Sequence, residues 1–420
     1  MEHFRIEGGA FLEGEISVNG AKNSALKIIA STVLTDDTCR IENIPAIADV
    51  LVLLDILKEM GAEVKAIDQH TYDITCVGIR EPSLPDKLVK KLRASVVLLG
   101  PLLARFGEVN MPHPGGCVIG ERPIDIFLDG FAALGVNVKE EETHYHFHAK
   151  KLAGATFVFP RISVTATEAL LMAATLAEGT TTLKFAACEP EIEDLAEWLN
   201  ARGAKIRGAG THTIVIEGVK KIAGGAKRIM PDRIETGTFA MLGAAAGRKI
   251  VIKNCEPNHL EVPWKLLRQA GVRFDLGQDT VTVHHSPNLQ AVNLITHEYP
   301  GFITDLQAPF TVLMTQASGL SLIHETIYEG RLFYIDKLNK MGARIIMCDP
   351  HRAVVLGPAK LYGATVESPD IRAGIALVIA ALLAEGPSRI ENIYQVDRGY
   401  EAIDDRLRQL GAKIERVQDT

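Results

Sequence analysis

The clearest chemistry in the chain lies in one short run, Pro112-His113-Pro114-Gly115-Gly116-Cys117-Val118-Ile119-Gly120-Glu121-Arg122-Pro123. Its prolines and glycines exclude regular structure and suit a lid over a ligand. Cys117 sits at the centre, directly after two glycines, and Arg122 follows five residues on. Such a thiol is either a small buried hydrophobe or a proton donor and nucleophile whose thiolate a nearby guanidinium favours. Near the start, Gly20-Ala21-Lys22-Asn23 places a lysine and an amide where a strand meets an apolar helix. A cation beside free helix amides makes an anion site; a solvated lysine is the plain alternative. Arg93, Arg331, Arg372 and Arg398 lie in turn-like or apolar surroundings. Each guanidinium could form an ordinary ion pair, or several could converge on one polyanion through their planar forks. Asp305 follows the turn Pro300-Gly301 and precedes an apolar segment. It reads as a helix cap or as a general base.

Other templates are missing. The sequence holds no Gly-x-Gly-x-x-Gly, no phosphate loop ending in Gly-Lys-Ser/Thr and no His-Glu-x-x-His. His284 and His285 would point to opposite faces of a strand and make a poor metal pair. The six cysteines include no Cys-x-x-Cys pair, which argues against a disulfide framework or a structural zinc site. The 420 residues carry 45 Lys and Arg against 52 Asp and Glu, a net charge of −7. Nucleic acid is therefore not an expected partner, and an anionic ligand must be met by arginines gathered locally. The N-terminus shows no basic-then-apolar signal segment, and no run of roughly 18 apolar residues could span a bilayer. No membrane partner is expected, and the expected location is the cytoplasm.

Six copies of one unit must hold these groups in place. Gly61, Gly135, Gly203, Gly271, Gly342 and Gly411 each follow a helical segment and precede a short alternating run, at spacings of 68 to 74 residues. A second marker keeps the same rhythm: apolar, Ala-rich segments end at Asp37, Gly107, Gly179, Gly247, Gly319 and Gly386, 67 to 72 residues apart. Two independent markers with one period define a repeat. The first set of glycines stands just past a helix end, where the left-handed conformation costs glycine little. The alternating runs after them read as strands. Segments such as Ala373 to Ala381 are apolar all round, which marks buried central helices with sheets outside. The fold class is α/β, with six repeated units in two groups of three.

Five motifs carry a family resemblance: Gly20-Ala21-Lys22-Asn23, the Pro114-to-Pro123 loop, Pro231-Asp232-Arg233-Ile234-Glu235-Thr236-Gly237-Thr238, Thr304-Asp305-Leu306-Gln307 and Asp397-Arg398-Gly399-Tyr400-Glu401. On them the chain resembles the UDP-N-acetylglucosamine enolpyruvyl transferases over essentially its whole length. The resemblance implies a two-domain inside-out α/β barrel, in agreement with the repeat count. It also implies transfer of the enolpyruvyl group of phosphoenolpyruvate to the 3-hydroxyl of UDP-N-acetylglucosamine, with phosphate released by addition and elimination. That reaction opens bacterial peptidoglycan synthesis.

Roles follow from the resemblance for particular positions. Lys22, Arg122 and Arg398 would hold the phosphate of phosphoenolpyruvate, with Asn23 beside them, while Arg331, Arg372 and Arg398 gather its carboxylate. Cys117 would deliver a proton to the methylene carbon, and a phosphonate epoxide should alkylate it. Asp305 would accept the proton of the sugar 3-hydroxyl. The UDP-sugar site would be lined by Asn23, Arg93, Arg122, Pro123, Ile124, Asp125, Ile126, Arg161, Ser163, Val164, Thr304, Asp305 and Ile327. No cofactor and no metal are implied. Arg161 stands where lysine is frequent, Thr165 replaces a frequent glycine, and Phe127 stands where some relatives carry histidine. These departures bear on affinity rather than on the type of reaction. Residues 1–21 with 232–420 are expected to form one domain, completed by the first strand. Residues 22–231, with the cysteine loop 112–123, would form the other. Two rivals are a 3-phosphoshikimate enolpyruvyl transferase of the same fold and a silent paralogue that binds the UDP-sugar to regulate the pathway.

Overall fold

Six largely buried helices organise the chain: α1 (Lys22–Ser31), α2 (Leu99–Phe106), α3 (Val164–Thr175), α4 (Arg233–Ala246), α5 (Gln307–Met314) and α6 (Ile371–Leu383). A computed structural model describes residues 2–113 and 124–418, so Cys117, Arg122 and Pro123 lie outside the described residues. Every residue of α6 from Arg372 to Leu382 is buried, as the uninterrupted apolar run from Ala373 onward requires. Small side chains let such helices approach. A methyl group on Gly100 of α2 would collide with the Ala169 carbonyl of α3, so that crossing needs glycine.

The chain divides into two compact units, one of residues 2–19 and 231–418, the other of residues 20–113 and 124–230. Each has its own apolar core and, among the described residues, three sheets. Around α4, α5 and α6, the first unit sets Leu12–Ser17, Gly247–Lys253, Thr280–His284 and Arg273–Leu276 in one sheet. Leu294–Ile295, Gly319–His324, Arg352–Gly357 and Ile345–Asp349 form a second. Thr365–Glu367, Pro387–Glu391, Glu2–Glu7 and Lys413–Gln418 form a third. Every sheet starts with a parallel pair and continues with two antiparallel pairings. The N-terminal strand is the third member of the last sheet, with Phe4 opposite both Ile390 and Arg416.

The second unit repeats the scheme. Gly225–Arg228 runs parallel to Cys39–Glu42, which continues antiparallel to Tyr72–Thr75 and Glu63–Ala66. Thr156–Val158 runs parallel to Thr180–Lys184, followed by Thr213–Glu217 and Lys205–Arg207. In the sheet of Glu108–Pro112, His144–His148 and Asn137–Glu140 the parallel partner shrinks to a single bridge between Ser83 and Asn110. The six repeat glycines all adopt the left-handed conformation, with φ between 81° and 106°. Gly247 differs from the other four glycines of the second marker, which are left-handed: its φ is −86°, because the chain leaves α4 directly into an extended strand.

A buried ion pair lies between two central helices of the second unit. Lys27 of α1 and Glu168 of α3 meet at 3.2 Å, both buried. Burial lifts the Glu168 carboxyl from 4.5 to about 8 against the pull of Lys27, and the charges of Glu191 and Glu189 add to the rise. The folded protein thus holds this proton more tightly than the unfolded chain. Its stabilising effect is complete below the unfolded value and is lost as pH rises to about 8. Relative to Glu168→Gln, the wild-type protein should lose stability between about pH 5 and about pH 8 in urea unfolding. A difference that does not change with pH would contradict this.

Candidate active site

Thr304–Leu306 forms a short 3-10 turn just ahead of α5. Leu306 occupies the cap position of α5 and no side chain caps the helix, so Asp305 is not a helix cap. Its carboxylate is engaged elsewhere. Arg331 Nη2 bonds to Asp305 Oδ1, and Arg372 Nη2 lies 3.3 Å from Oδ2. Both guanidinia are buried, whereas the Asp305 side chain keeps 23% of its surface exposed. Burial pushes the Asp305 carboxyl up, but Arg372 and Arg331 outweigh it and hold the group well below the usual carboxylate range. Burial pulls the two guanidinia down, but Asp305 together with Asp370 and Glu325 around Arg331, and with Tyr400 and Asp232 around Arg372, more than offsets it, so both values are raised.

Local sequence explains why these three groups meet. Asp370 caps α6, its Oδ1 accepting from Arg372 N at 2.8 Å and Ala373 N at 3.1 Å. That cap fixes the backbone of Arg372, whose guanidinium also lies 5.6 Å from the centre of the buried Tyr400 ring. Arg398 follows the short helix Tyr394–Asp397 and donates from Nη1 to Gln395 Oε1 at 2.9 Å. A Cβ on the adjacent Gly399 would lie 3.6 Å from Arg372 Nη1, so the Arg398-Gly399 turn packs beside the cluster. Two guanidinia share one carboxylate here. Among the described residues, Arg331 Nε is buried with no acceptor. The arrangement can bind an anion and offer a carboxylate beside it.

Thr304 and Ile327 are linked through a residue that the sequence did not single out. Glu325 is fully buried. Its Oε2 accepts from the Thr304 hydroxyl at 2.8 Å, and its Oε1 accepts from Ile327 N at 2.9 Å and Tyr328 N at 3.2 Å.

In the second unit, Lys22 opens α1 and is buried, with Nζ 2.6 Å from Asp49 Oδ2. The solvated-lysine reading therefore fails. Asp49 lies in the first turn of the helix Ala48–Glu59, where a carboxylate is ordinarily a favourable end charge. Nothing in that pattern announced a buried partner for Lys22. Replacing Lys22 with Met removes one partner of a buried ion pair and should lower the unfolding free energy by about 3 kcal/mol. Urea titration of Lys22→Met checks this, and an unchanged midpoint would contradict it. Asn23 and Arg93 are half-buried. Ile124 and Ile126 are buried, and the exposed Asp125 lies 3.1 Å from Arg161. Ser163 caps α3, its hydroxyl accepting from Ala166 N at 3.4 Å just before Val164 begins the helix. Asp125, Arg161, Ser163 and Val164 are thus neighbours.

The buried thiols are poor acid catalysts. Burial lifts Cys39 to about 12 and Cys255 to about 11, and raises Cys76 and Cys188 as well. Cys188 lies 3.3 Å from His212 Nδ1, but that nitrogen also lies 2.8 Å from the Ala186 carbonyl. Only a protonated Nδ1 can bond to a carbonyl, so it cannot accept the thiol proton.

Residues 6–415 match the family model for EPSP synthase (3-phosphoshikimate 1-carboxyvinyltransferase). The chain is 46% identical to UDP-N-acetylglucosamine 1-carboxyvinyltransferase from Dichelobacter nodosus, over 100% of both chains. The protein of the same name from Klebsiella pneumoniae is 43% identical, again over 100% of both. The chain belongs to the UDP-N-acetylglucosamine 1-carboxyvinyltransferase family. Among solved structures, the enolpyruvyl transferase NikO from Streptomyces tendae superposes with a TM-score of 0.91 at 26% identity, covering 100% of this chain and 99% of its own. EPSP synthase from Acinetobacter baumannii shares the fold, with a TM-score of 0.74 at 19% identity over 100% of both chains. The six repeats and the sheet scheme described above are thus those of the enolpyruvyl transferase fold. Among the described residues, no helix is long and apolar enough to cross a membrane.

Proposed function

We propose that the protein transfers the enolpyruvyl group of phosphoenolpyruvate to the 3-hydroxyl of UDP-N-acetylglucosamine, the first committed step of peptidoglycan synthesis. The observation that carries this reading is the Asp305 carboxylate held between Arg331 and Arg372, in a chain that full-length relatives of that name match throughout. In this reading Arg331, Arg372 and Arg398 take the carboxylate of phosphoenolpyruvate, and Lys22, Arg122 and Arg398 its phosphate. The sugar oxygen bonds to the central carbon as Asp305 accepts the hydroxyl proton, while Cys117 gives its proton to the methylene carbon. A methyl-bearing ketal results. Loss of a methyl proton and cleavage of the carbon–oxygen bond to phosphate then yield the enol ether and inorganic phosphate.

The ligand-free geometry adds a condition. A carboxylate neutralising two arginines is a weak base. When the donor's carboxylate draws Arg331 and Arg372 to itself, the hold on Asp305 relaxes and its basicity rises towards the ordinary value. The base thus becomes competent only with the donor in place. Substrate residues come from both groups of three repeats, 1–21 with 232–420 and 22–231, and Cys117 is the site for a phosphonate epoxide. We read the protein as cytoplasmic, where its free thiols stay reduced.

Phosphate release measured with each acceptor tests the reading. Turnover with UDP-N-acetylglucosamine and none with shikimate 3-phosphate is expected. The reverse result would assign the protein to the rival reaction. UDP-sugar binding without any phosphate release would make it a silent regulatory paralogue.

A further inference from the structure

Glu325 stands immediately after the strand Gly319–His324, and its side chain has no exposed surface. A buried carboxylate is costly unless several donors meet it. Here the donors come from two directions. The Thr304 hydroxyl, on the residue before Asp305, reaches Oε2 at 2.8 Å. The amides of Ile327 and Tyr328, at the start of the turn that leads to Arg331, reach Oε1 at 2.9 and 3.2 Å. The main chain of Glu325 is itself fixed, because its N–H donates to the His351 carbonyl and its own carbonyl accepts from His351 Nδ1, both at 2.8 Å. Its charge also supports the charged form of Arg331.

We propose that Glu325 is a positioning residue that sets the Asp305 base against the turn bearing Ile327 and Arg331. The proposal rests on the enolpyruvyl-transfer reading given above. Thr304 and Ile327 are assigned to the sugar nucleotide, and Asp305 and Arg331 to the reacting groups. One carboxylate therefore holds both halves of the acceptor side in register with the base. A carboxylate suits the task without rearrangement, since all three partners donate. A carboxamide must turn its NH2 towards one of them: the Thr304 hydroxyl can rotate and accept, but the backbone amides cannot.

Steady-state kinetics of Glu325→Gln and Glu325→Ala, alone and combined with Asp305→Asn, test this. Glu325→Gln should fold with an unchanged melting temperature and lower kcat about tenfold, with KM for UDP-N-acetylglucosamine within about threefold of wild type. Glu325→Ala frees both segments and should lower kcat about a hundredfold and raise that KM about tenfold. Because Glu325 acts through Asp305, Glu325→Gln should slow the Asp305→Asn enzyme by less than about twofold. A merely structural role would give equal losses in both backgrounds and would overturn the proposal. So would a Glu325→Gln enzyme kinetically identical to an active wild type. If the wild type itself releases no phosphate with UDP-N-acetylglucosamine, the functional reading fails first, and the role given to Glu325 falls with it.

Discussion

Cys117→Ala should lower kcat near neutral pH by at least about a hundredfold, and Cys117→Asp should recover part of that loss. The methylene carbon of an enol is a reluctant base, and protonating it generates positive charge at the adjacent carbon. A positioned acid supplies the proton while the substrate's own carboxylate and the arginines limit the charge. Alanine has no proton to give. An aspartic acid can give one, but its ordinary value of about 3.9 lies far below the thiol's value of about 8.5. The protonated fraction of Cys117→Asp therefore falls as pH rises, so its activity should be greatest at acid pH and decline towards neutrality. Rate–pH profiles of the three proteins check the sign. Wild-type activity in Cys117→Ala would refute the acid role. Incubation with a phosphonate epoxide and the UDP-sugar should add one adduct to the intact mass, and Cys117→Ala should show none.

The second large effect is expected at Asp305. Asp305→Asn should lower kcat between about a hundredfold and about ten-thousandfold, since the amide cannot accept the hydroxyl proton. The KM for phosphoenolpyruvate should not rise, because the substitution removes a carboxylate that competes with the donor for Arg331 and Arg372. Stability should fall by about 3 kcal/mol or more, the usual consequence of removing one partner from a buried charge cluster. The pH sign is fixed by the depressed carboxyl. A group whose folded value lies below its unfolded value contributes fully above the unfolded value of about 3.9, and that contribution is lost only as pH falls further. The gap in stability between wild type and Asp305→Asn should therefore stay constant from about pH 6 to about pH 9 and close in acid. Chemical denaturation across that range measures it. A gap that opened only at alkaline pH would contradict the assignment.

The repeat could be read from the sequence because its markers are physical necessities. A helix that must end and turn back within a small unit needs a left-handed residue, and Gly61, Gly135, Gly203, Gly271, Gly342 and Gly411 supply it. The all-apolar helices were legible for a similar reason, since α6 has no face that water would tolerate. Pairings between distant segments were not legible. Asp49 looks like any acid in a first helical turn, and only the tertiary fold brings it to Lys22. Glu325 sits at a strand end where a solvated glutamate is ordinary, and its burial depends on Thr304 and the Ile327 turn arriving together. For Asp305 the sequence left a cap and a base both open. The structure removes the cap by sending the carboxylate to Arg331 and Arg372, a choice that no local pattern encodes.

The most direct test of the chemistry follows one oxygen atom. Phosphoenolpyruvate labelled with heavy oxygen in the bridge between carbon and phosphorus is incubated with UDP-N-acetylglucosamine and the protein, and both products are weighed by mass spectrometry. Addition followed by elimination requires all of the bridge label to leave with inorganic phosphate, and an unlabelled enol ether to form at the sugar 3-oxygen. A phosphorylated sugar, or label retained in the three-carbon product, would mean that the phosphorus–oxygen bond breaks instead and would contradict the account.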